Sequence, residues 1–444
     1  MKIKFTKGHV FSILIANMIG TGVFTTLGYQ VMGISSGFAL LLLWIVGGLI
    51  AFLGSMCYAM LGIAFPRSGG EYNYLSQIYG SGLGFVAGWV SLIIGFAAPI
   101  AAAAFAFGDY LDKFINPEIF INPNFQSNHF YNDPLFSSIL LVFILTLLNI
   151  FNKKIGADFQ KIFTVIKVII ILALIAIGLY SSSNTDISYA WNEDAMQSIL
   201  SPAFFIAMFF VAYSYSGWNA ACYISGEIQD VERTLPRSLL SSTLFVSILY
   251  VLLNYVFLKI VPISEMSGGM DIGYLFANKA FGVSLGGVMA LAICVLLIST
   301  TNSMIIVGPR VSLVMGEDYK RLSFLSILNK REVPFVAILI QSIIAILYLL
   351  TSTFESLLIY IGFVLSLISF LTVLGLFLIK GKDQLLITKF KSFGYPIVPA
   401  LFLIINFTML IYGLIYKPKE SLFGLLICLI GYLVYLFISN KKNE

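Results

Sequence analysis

The chain has 444 residues, 59% of them hydrophobic and 11% charged, with a mean hydropathy of +0.95 and a formal net charge of +5. A soluble domain carries about 25% charged residues, so a soluble globular core of this size is excluded.

Apolar runs of roughly 20 residues, the length a helix needs to cross a bilayer, recur along the chain. Twelve are expected, at about 10–32, 38–63, 84–108, 134–151, 160–180, 199–225, 237–262, 282–308, 333–352, 355–379, 394–416 and 421–439. They are continuously apolar rather than alternating, so helices are expected and not the strands of a barrel. With the N-terminus inside, 20 of the 26 Lys and Arg residues fall on the inner side. Five, Lys113, Lys259, Lys279, Lys417 and Lys419, fall outside, and Lys167 lies within a span. Basic residues accumulate on the cytoplasmic side. The expectation is therefore a multi-pass protein of the plasma (inner) membrane with both termini cytoplasmic. The net charge is then a topology signal, and no nucleic-acid partner is expected.

All four cysteines, Cys57, Cys222, Cys294 and Cys428, fall in spans, where free thiols behave as small apolar residues. The first apolar run is too long for the core of a signal peptide and is expected to stay as the first helix. The longest outer loop, about 109–133, holds Pro117 and Pro123 and is too short for a catalytic domain.

Two spans carry residues that weaken a helix. The first run contains ANMIGTGVF, Ala16 to Phe24, with Gly20 and Gly22 flanking Thr21. Glycine is about 0.8–1.0 kcal/mol worse than alanine in a helix interior. The sixth run contains AYSYSGWN, Ala212 to Asn219, where Ser214, Ser216 and Gly217 follow closely. Small residues can serve close helix packing, and that reading stays open for both glycines. The alternative is an interrupted helix. A break leaves bare N–H groups on one half and bare C=O groups on the other, and in hydrocarbon each costs several kcal/mol unless a polar ligand meets it. The N–H groups suit a carboxylate and the carbonyls an ammonium. Two such breaks facing each other suit a zwitterionic α-amino acid. Their place in the first and sixth spans fits inverted repeats whose discontinuous helices meet at the substrate.

Lys167, in FTVIKVIII, has two readings. It can snorkel toward the inner surface, or point inward and hold the fifth span against the break in the first, where a sodium-coupled relative would place Na⁺. Inward, it would also offer a route for proton coupling. Asp and Glu are absent from span centres, so a carboxylate relay is not expected. Asn17, Asn149, Asn254, Asn302, Gln341, Asn406 and Ser299 to Thr301 are read as interhelical hydrogen-bonding groups. Tyr213 and Trp218 could cover a ligand beside the break or simply pack. His9 and His129 are the only histidines and lie outside span interiors. A metal enzyme or a histidine-based catalyst is therefore not expected, nor is a cofactor. A channel would need a continuous polar lining that the spans lack.

PRSGGEYNYL (Pro66–Leu75), IGTGVF (Ile19–Phe24) and SYSGWNAACYISGEIQDVERTLPRSL (Ser214–Leu239) resemble signatures of the amino acid–polyamine–organocation superfamily, closest to its L-type amino acid transporter branch. The resemblance implies an all-α membrane protein of twelve helices with the leucine-transporter fold, a 5+5 inverted repeat, and helices 1 and 6 broken. It implies a transporter core over 1–380, with repeats at about 9–180 and 199–380, followed by two further helices in 381–444. It implies a substrate site at Ile19, Gly20, Thr21, Gly22, Val23, Tyr213, Ser214, Ser216, Gly217, Trp218 and Asn219. There the substrate carboxylate would meet the N–H groups of Thr21, Gly22 and Val23 and the Thr21 hydroxyl. The ammonium would meet the carbonyls of Ile19, Tyr213 and Ser216. Lys167 matches the helix 5 lysine of sodium-independent members, which favours the inward reading. Met60 stands where many members have an acidic residue. The loop between helices 3 and 4 lacks the cysteine that pairs animal members with an accessory chain, so no disulfide-linked subunit is expected.

The expected function is secondary transport of amino acids, neutral ones because the breaks carry no charged side chain, without Na⁺, as an exchanger or proton symporter. The alternatives are a cationic amino acid or polyamine transporter of the same fold, and an amino acid sensor.

Overall fold

The computed structural model describes residues 5–115, 133–151, 153–182, 187–379 and 394–439. Pro117, Pro123 and His129 of the expected outer loop, and Lys2, Lys4, Lys380, Lys382, Lys389, Lys391, Lys441 and Lys442 of the charge count, lie outside the described residues.

Continuous apolar sequence gives helices, and the described residues are almost all helical. Their one β feature is an isolated parallel bridge between Phe5 and Ile228. Among the described residues ten helices are long and apolar enough to cross a membrane: Lys7–Thr25, Gly37–Ala64, Ser81–Ile115, Pro134–Phe151, Gln160–Tyr180, Val231–Ile260, Gly286–Asp318, Phe354–Phe377, Ile397–Tyr416 and Pro418–Ser439. Glu193–Leu200 and Pro202–Glu227, bent by 69° at their junction, make an eleventh if counted as one span. The expected run at 333–352 is the shorter apolar helix Phe335–Thr351. The third span continues to Ile115, past the expected end at 108, so part of the expected outer loop is helix. Short helices that hydropathy does not reveal occupy the connections, among them Glu71–Tyr79 and Ile272–Phe281.

The helices pair in a pattern. Gly37–Ala64 packs along Val231–Ile260, Ala97–Ile115 along Val283–Val307, and Pro134–Phe151 along Phe335–Thr351. In span order these are the second with the seventh, the third with the eighth and the fourth with the ninth. Small residues make the close approaches, since lipid supplies no hydrophobic drive for helices to associate. A Cβ on Gly48 would lie 2.8 Å from Ser247 Oγ, and one on Gly62 would lie 2.3 Å from Leu235 Cδ2. The alanine run Ala101 to Ala104 is wholly buried. Polar groups inside the bundle bond across it: Ser55 with Thr243 at 2.8 Å, Asn149 to Asn302 at 2.7 Å, Asn302 to Gln160 at 2.9 Å, and Gln160 to Ser299 at 3.0 Å.

Large apolar side chains stay exposed around the bundle, including Phe143, Ile162, Leu172, Ile343, Ile404 and Leu429. So much apolar surface, far above what a soluble monomer leaves open, needs a lipid environment. Cys57, Cys222 and Cys294 are buried, Cys428 is half-buried, and all four are free thiols.

At the end of the bundle that carries Phe5, Arg67 forks onto Asp318 at 2.8 and 3.0 Å and Tyr72 donates to the same carboxylate at 2.7 Å. Arg67 is thereby stabilised in its charged form by the Asp318 hydrogen bonds. At the opposite end Lys113 pairs with Asp109 at 2.6 Å and Asp271 at 3.3 Å.

Candidate functional site

The first helix runs Lys7–Met18 and stops. Ile19 leaves the helical region with ψ of 89°, and helix resumes at Gly22–Thr25. Thr21 N–H, Gly22 N–H and Val23 N–H meet no acceptor among the described residues, as the start of any helical segment requires. The carbonyls left behind are claimed by side chains. Met18 O accepts from Tyr250 Oη at 2.5 Å. Ile19 O accepts from Lys167 Nζ at 2.5 Å and Thr300 Oγ1 at 3.0 Å.

The helix Pro202–Tyr215 stops in the same manner. Ser216 is extended, Gly217 has φ of +90°, and a tight 3₁₀ turn covers Ala220–Glu227. The two interruptions touch. A Cβ on Gly22 would fall 2.4 Å from Ser214 Oγ and 2.5 Å from Ser214 Cα, so only glycine fits there. A Cβ on Gly217 would fall 2.8 Å from Asn17 Cβ, and its positive φ also favours glycine. Gly20 is freer, with only Thr300 Cγ2 at 3.2 Å. Close packing and interruption, opposed readings of the sequence, therefore coincide at Gly22 and Gly217. Side chains complete the contact. Thr21 Oγ1 and Tyr213 Oη share a 2.6 Å hydrogen bond, and Thr26 Oγ1 lies 3.1 Å from Ser214 Oγ. Tyr250 Oη also donates to Ser214 O at 3.1 Å, so one hydroxyl serves both interruptions.

Lys167 is fully buried. Its ammonium points inward, to Ile19 O, to Ala16 O at 3.2 Å and to Thr300 Oγ1 at 2.8 Å. It does not snorkel. Beside it, Asn17 donates to Ser303 Oγ at 2.7 Å, so the polar stretch 299–303 ties the first helix to the fifth and eighth.

A cavity of about 80 Å³ adjoins the second interruption. Ser216, Gly217, Trp218 and Asn219 line it, together with Asn17. Ile19 to Val23, Tyr213, Ser214 and Lys167 are outside its lining; of these, Thr21, Gly22, Tyr213 and Ser214 form the contact between the interrupted segments, while Lys167 sits between the first helix and Thr300. Sequence reasoning missed the rest of the wall, which includes Gly47 and Ala51 from the second span, Phe96 and Pro99 from the third, Met304 from the eighth, Leu365 from the tenth and Asn406 from the eleventh. The structure marks the third-span stretch, since Gly95 and Phe96 close a π-helical turn, Ser91–Phe96, that precedes Pro99. Such turns often accompany functional positions.

Among the described residues Glu71 is the one charged side chain in the wall. It is 3% exposed. Its carboxylate accepts from Tyr58 Oη at 2.8 Å, from Asn219 Nδ2 at 2.6 Å and from Tyr223 Oη. Burial pushes this carboxyl above its usual range, and the donors Tyr223, Tyr58 and Asn219 oppose the shift.

The described residues hold no group of three or more His, Cys, Asp or Glu side chains placed to bind a metal. The arrangement offers main-chain dipoles, hydroxyls and one hydrogen-bonded carboxylate beside an apolar cavity. That is a means of holding a small polar molecule.

Residues 8–438 match the family described as amino acid permease. The mouse protein named large neutral amino acids transporter small subunit 2 is 26% identical over 428 residues, 95% of this chain and 78% of that protein. The human b(0,+)-type amino acid transporter 1 is 27% identical, covering 97% of this chain and 87% of its own length. The serine/threonine exchanger SteT of Bacillus subtilis is 27% identical, covering 97% and 95%.

Proposed function

The chain belongs to the amino acid permease family, in the L-type branch of the amino acid–polyamine–organocation superfamily, and from that premise we propose a Na⁺-independent transporter of neutral amino acids. It is a transporter and not an enzyme. The observation that carries the reading is the direct contact of two interrupted helices, Gly22 on Ser214 and Gly217 on Asn17, beside a cavity whose single carboxylate is already hydrogen-bonded.

In this reading a substrate carboxylate takes the N–H groups of Thr21, Gly22 and Val23 and the Thr21 hydroxyl. Its ammonium takes the carbonyls of Tyr213 and Ser216. Ile19 O contributes less, because Lys167 and Thr300 already donate to it. The side chain lies in the cavity between Phe96, Trp218 and Leu365. Lys167 stands as a fixed cation on the first helix, which supports independence from Na⁺. The name of the mouse relative supports neutral substrates and that of the Bacillus subtilis relative supports exchange, and proton symport is the other mode the site would serve.

The pairing of second with seventh, third with eighth and fourth with ninth spans supports inverted repeats at about 9–180 and 199–380. The last two helices then flank a leucine-transporter-type core of ten spans, twelve in all, and the broken helices rock between outward- and inward-facing states. The basic residues support a plasma-membrane protein with cytoplasmic termini, the Phe5 end facing the cytoplasm. The cysteines, all within helices or the turn at Cys222, support the absence of a disulfide-linked subunit.

Proteoliposomes holding the purified chain test the proposal. Preloaded neutral amino acids should drive uptake of labelled serine, leucine or alanine with no Na⁺ gradient. Preference for lysine, arginine or a polyamine would overturn the neutral assignment. Binding without flux would mark a sensor.

A further inference from the structure

We propose that Glu71 is a positioning residue that holds Asn219 and Tyr223 in place and so keeps the cavity shut at the Phe5 end of the bundle. The inference rests on the transport reading above and deepens it.

The three partners of the carboxylate come from separate elements. Tyr58 belongs to Gly37–Ala64, Asn219 lies two residues past Gly217, and Tyr223 sits in the 3₁₀ turn Ala220–Glu227. No Lys or Arg pairs with Glu71 among the described residues. Two donors on Oε1 and one on Oε2 leave the group engaged by the protein itself, so it acts through its neighbours and not on a ligand. Asn219 and Tyr223 are themselves cavity wall.

The main chain supports the same contact. Gly69 N–H donates to Tyr223 O at 3.1 Å, Gly70 N–H to Cys222 O at 3.3 Å, and Gly226 N–H to Ser68 Oγ at 3.0 Å. A Cβ on Gly70 would meet the Tyr223 ring at 2.5 Å, and Gly70 has φ of +54°. The glycine pair before Glu71 thus lets the connection lie flat on the 3₁₀ turn. On the far side of that turn, Phe5 bonds Glu227 and Gln229. The turn is clasped from two sides, and only the Glu71 side touches the cavity. Release of the carboxylate frees the turn to leave the cavity.

The turn carries its own reporter. Cys222 is fully buried in it. In the full chain with Cys57→Ala, Cys294→Ala and Cys428→Ala, maleimide is applied to inside-out membrane vesicles. Glu71→Ala is expected to label Cys222 at least about tenfold faster than the parent, the factor expected when even one hydrogen bond to a charged group is lost. Glu71→Gln, whose amide offers both acceptor and donor to the same partners, should restore slow labelling and exchange. Tyr223→Phe should label faster than the parent, and it decides the question alone if Glu71→Ala does not fold.

Equal labelling in Glu71→Ala, or in Tyr223→Phe where that variant decides, overturns the proposal. So does a Gln variant that labels as fast as Ala. A Gln variant that labels slowly but no longer exchanges also overturns it, because the carboxyl would then act chemically. Labelling requires no flux, so failure of the latch and failure of the transport reading are read separately.

Discussion

Gly20 and Gly22 look alike in sequence, yet their surroundings differ. Gly22 presses its Cα face onto Ser214, with no room for a methyl group, while Gly20 has only the Thr300 methyl at 3.2 Å. Gly22→Ala should therefore lower stability by about 1–3 kcal/mol through overpacking and abolish exchange, since the two interruptions must separate. Gly20→Ala, which asks Thr300 to give by only a few tenths of an ångström, should lose less stability and less exchange than Gly22→Ala. Thermal unfolding in detergent and proteoliposome exchange check both, and equal behaviour of the two variants would refute the contact. Composition marks these glycines as unusual, but their difference depends on a residue 192 positions away, Ser214 opposite Gly22. Glu71 illustrates the same limit. Its sequence neighbours place it in a connection, and only folding puts its carboxylate in the wall of the cavity.

Among elements, the first, fifth and eighth helices form one polar joint around Lys167. The fifth supplies the ammonium, the first the carbonyls of Ala16 and Ile19, and the eighth Thr300. Burying a lone cation is costly, so the three acceptors are what make this placement tolerable. Lys167→Ala removes the side-chain donor from Ala16 O, worth about 1–3 kcal/mol when left unmet, and leaves Ile19 O to Thr300 alone. Exchange should fall at least about tenfold while the chain still reaches the membrane. Unchanged kinetics would show that the joint is passive. The inward direction of Lys167 could not be read from spacing alone, because a lysine in the inner half of a span can equally reach water. The π-helical turn at Ser91–Phe96 is a second case. It sets which face of the third helix meets the cavity, and a run that is apolar all round carries no such directional mark.

For the molecule as a whole, every cysteine is a free thiol and three are fully packed away. Reducing agent should therefore leave the melting temperature of the detergent-solubilised protein unchanged. A fall of several degrees would reveal a covalent link. The sequence by itself determined the all-helical membrane class, where the apolar runs lie, and that glycine, serine and threonine gather in two of them. Those properties are additive along the chain, since a bilayer reads hydrophobic length segment by segment. Tertiary structure alone decided the short helices in the connections, the residues of the third, eighth, tenth and eleventh spans that face the cavity, and the arrival of Glu71 beside Asn219. Helices apolar on every side hold no amphipathic stripe to orient them. Their facing residues are chosen by close packing of small side chains and by where each buried polar group finds its partner.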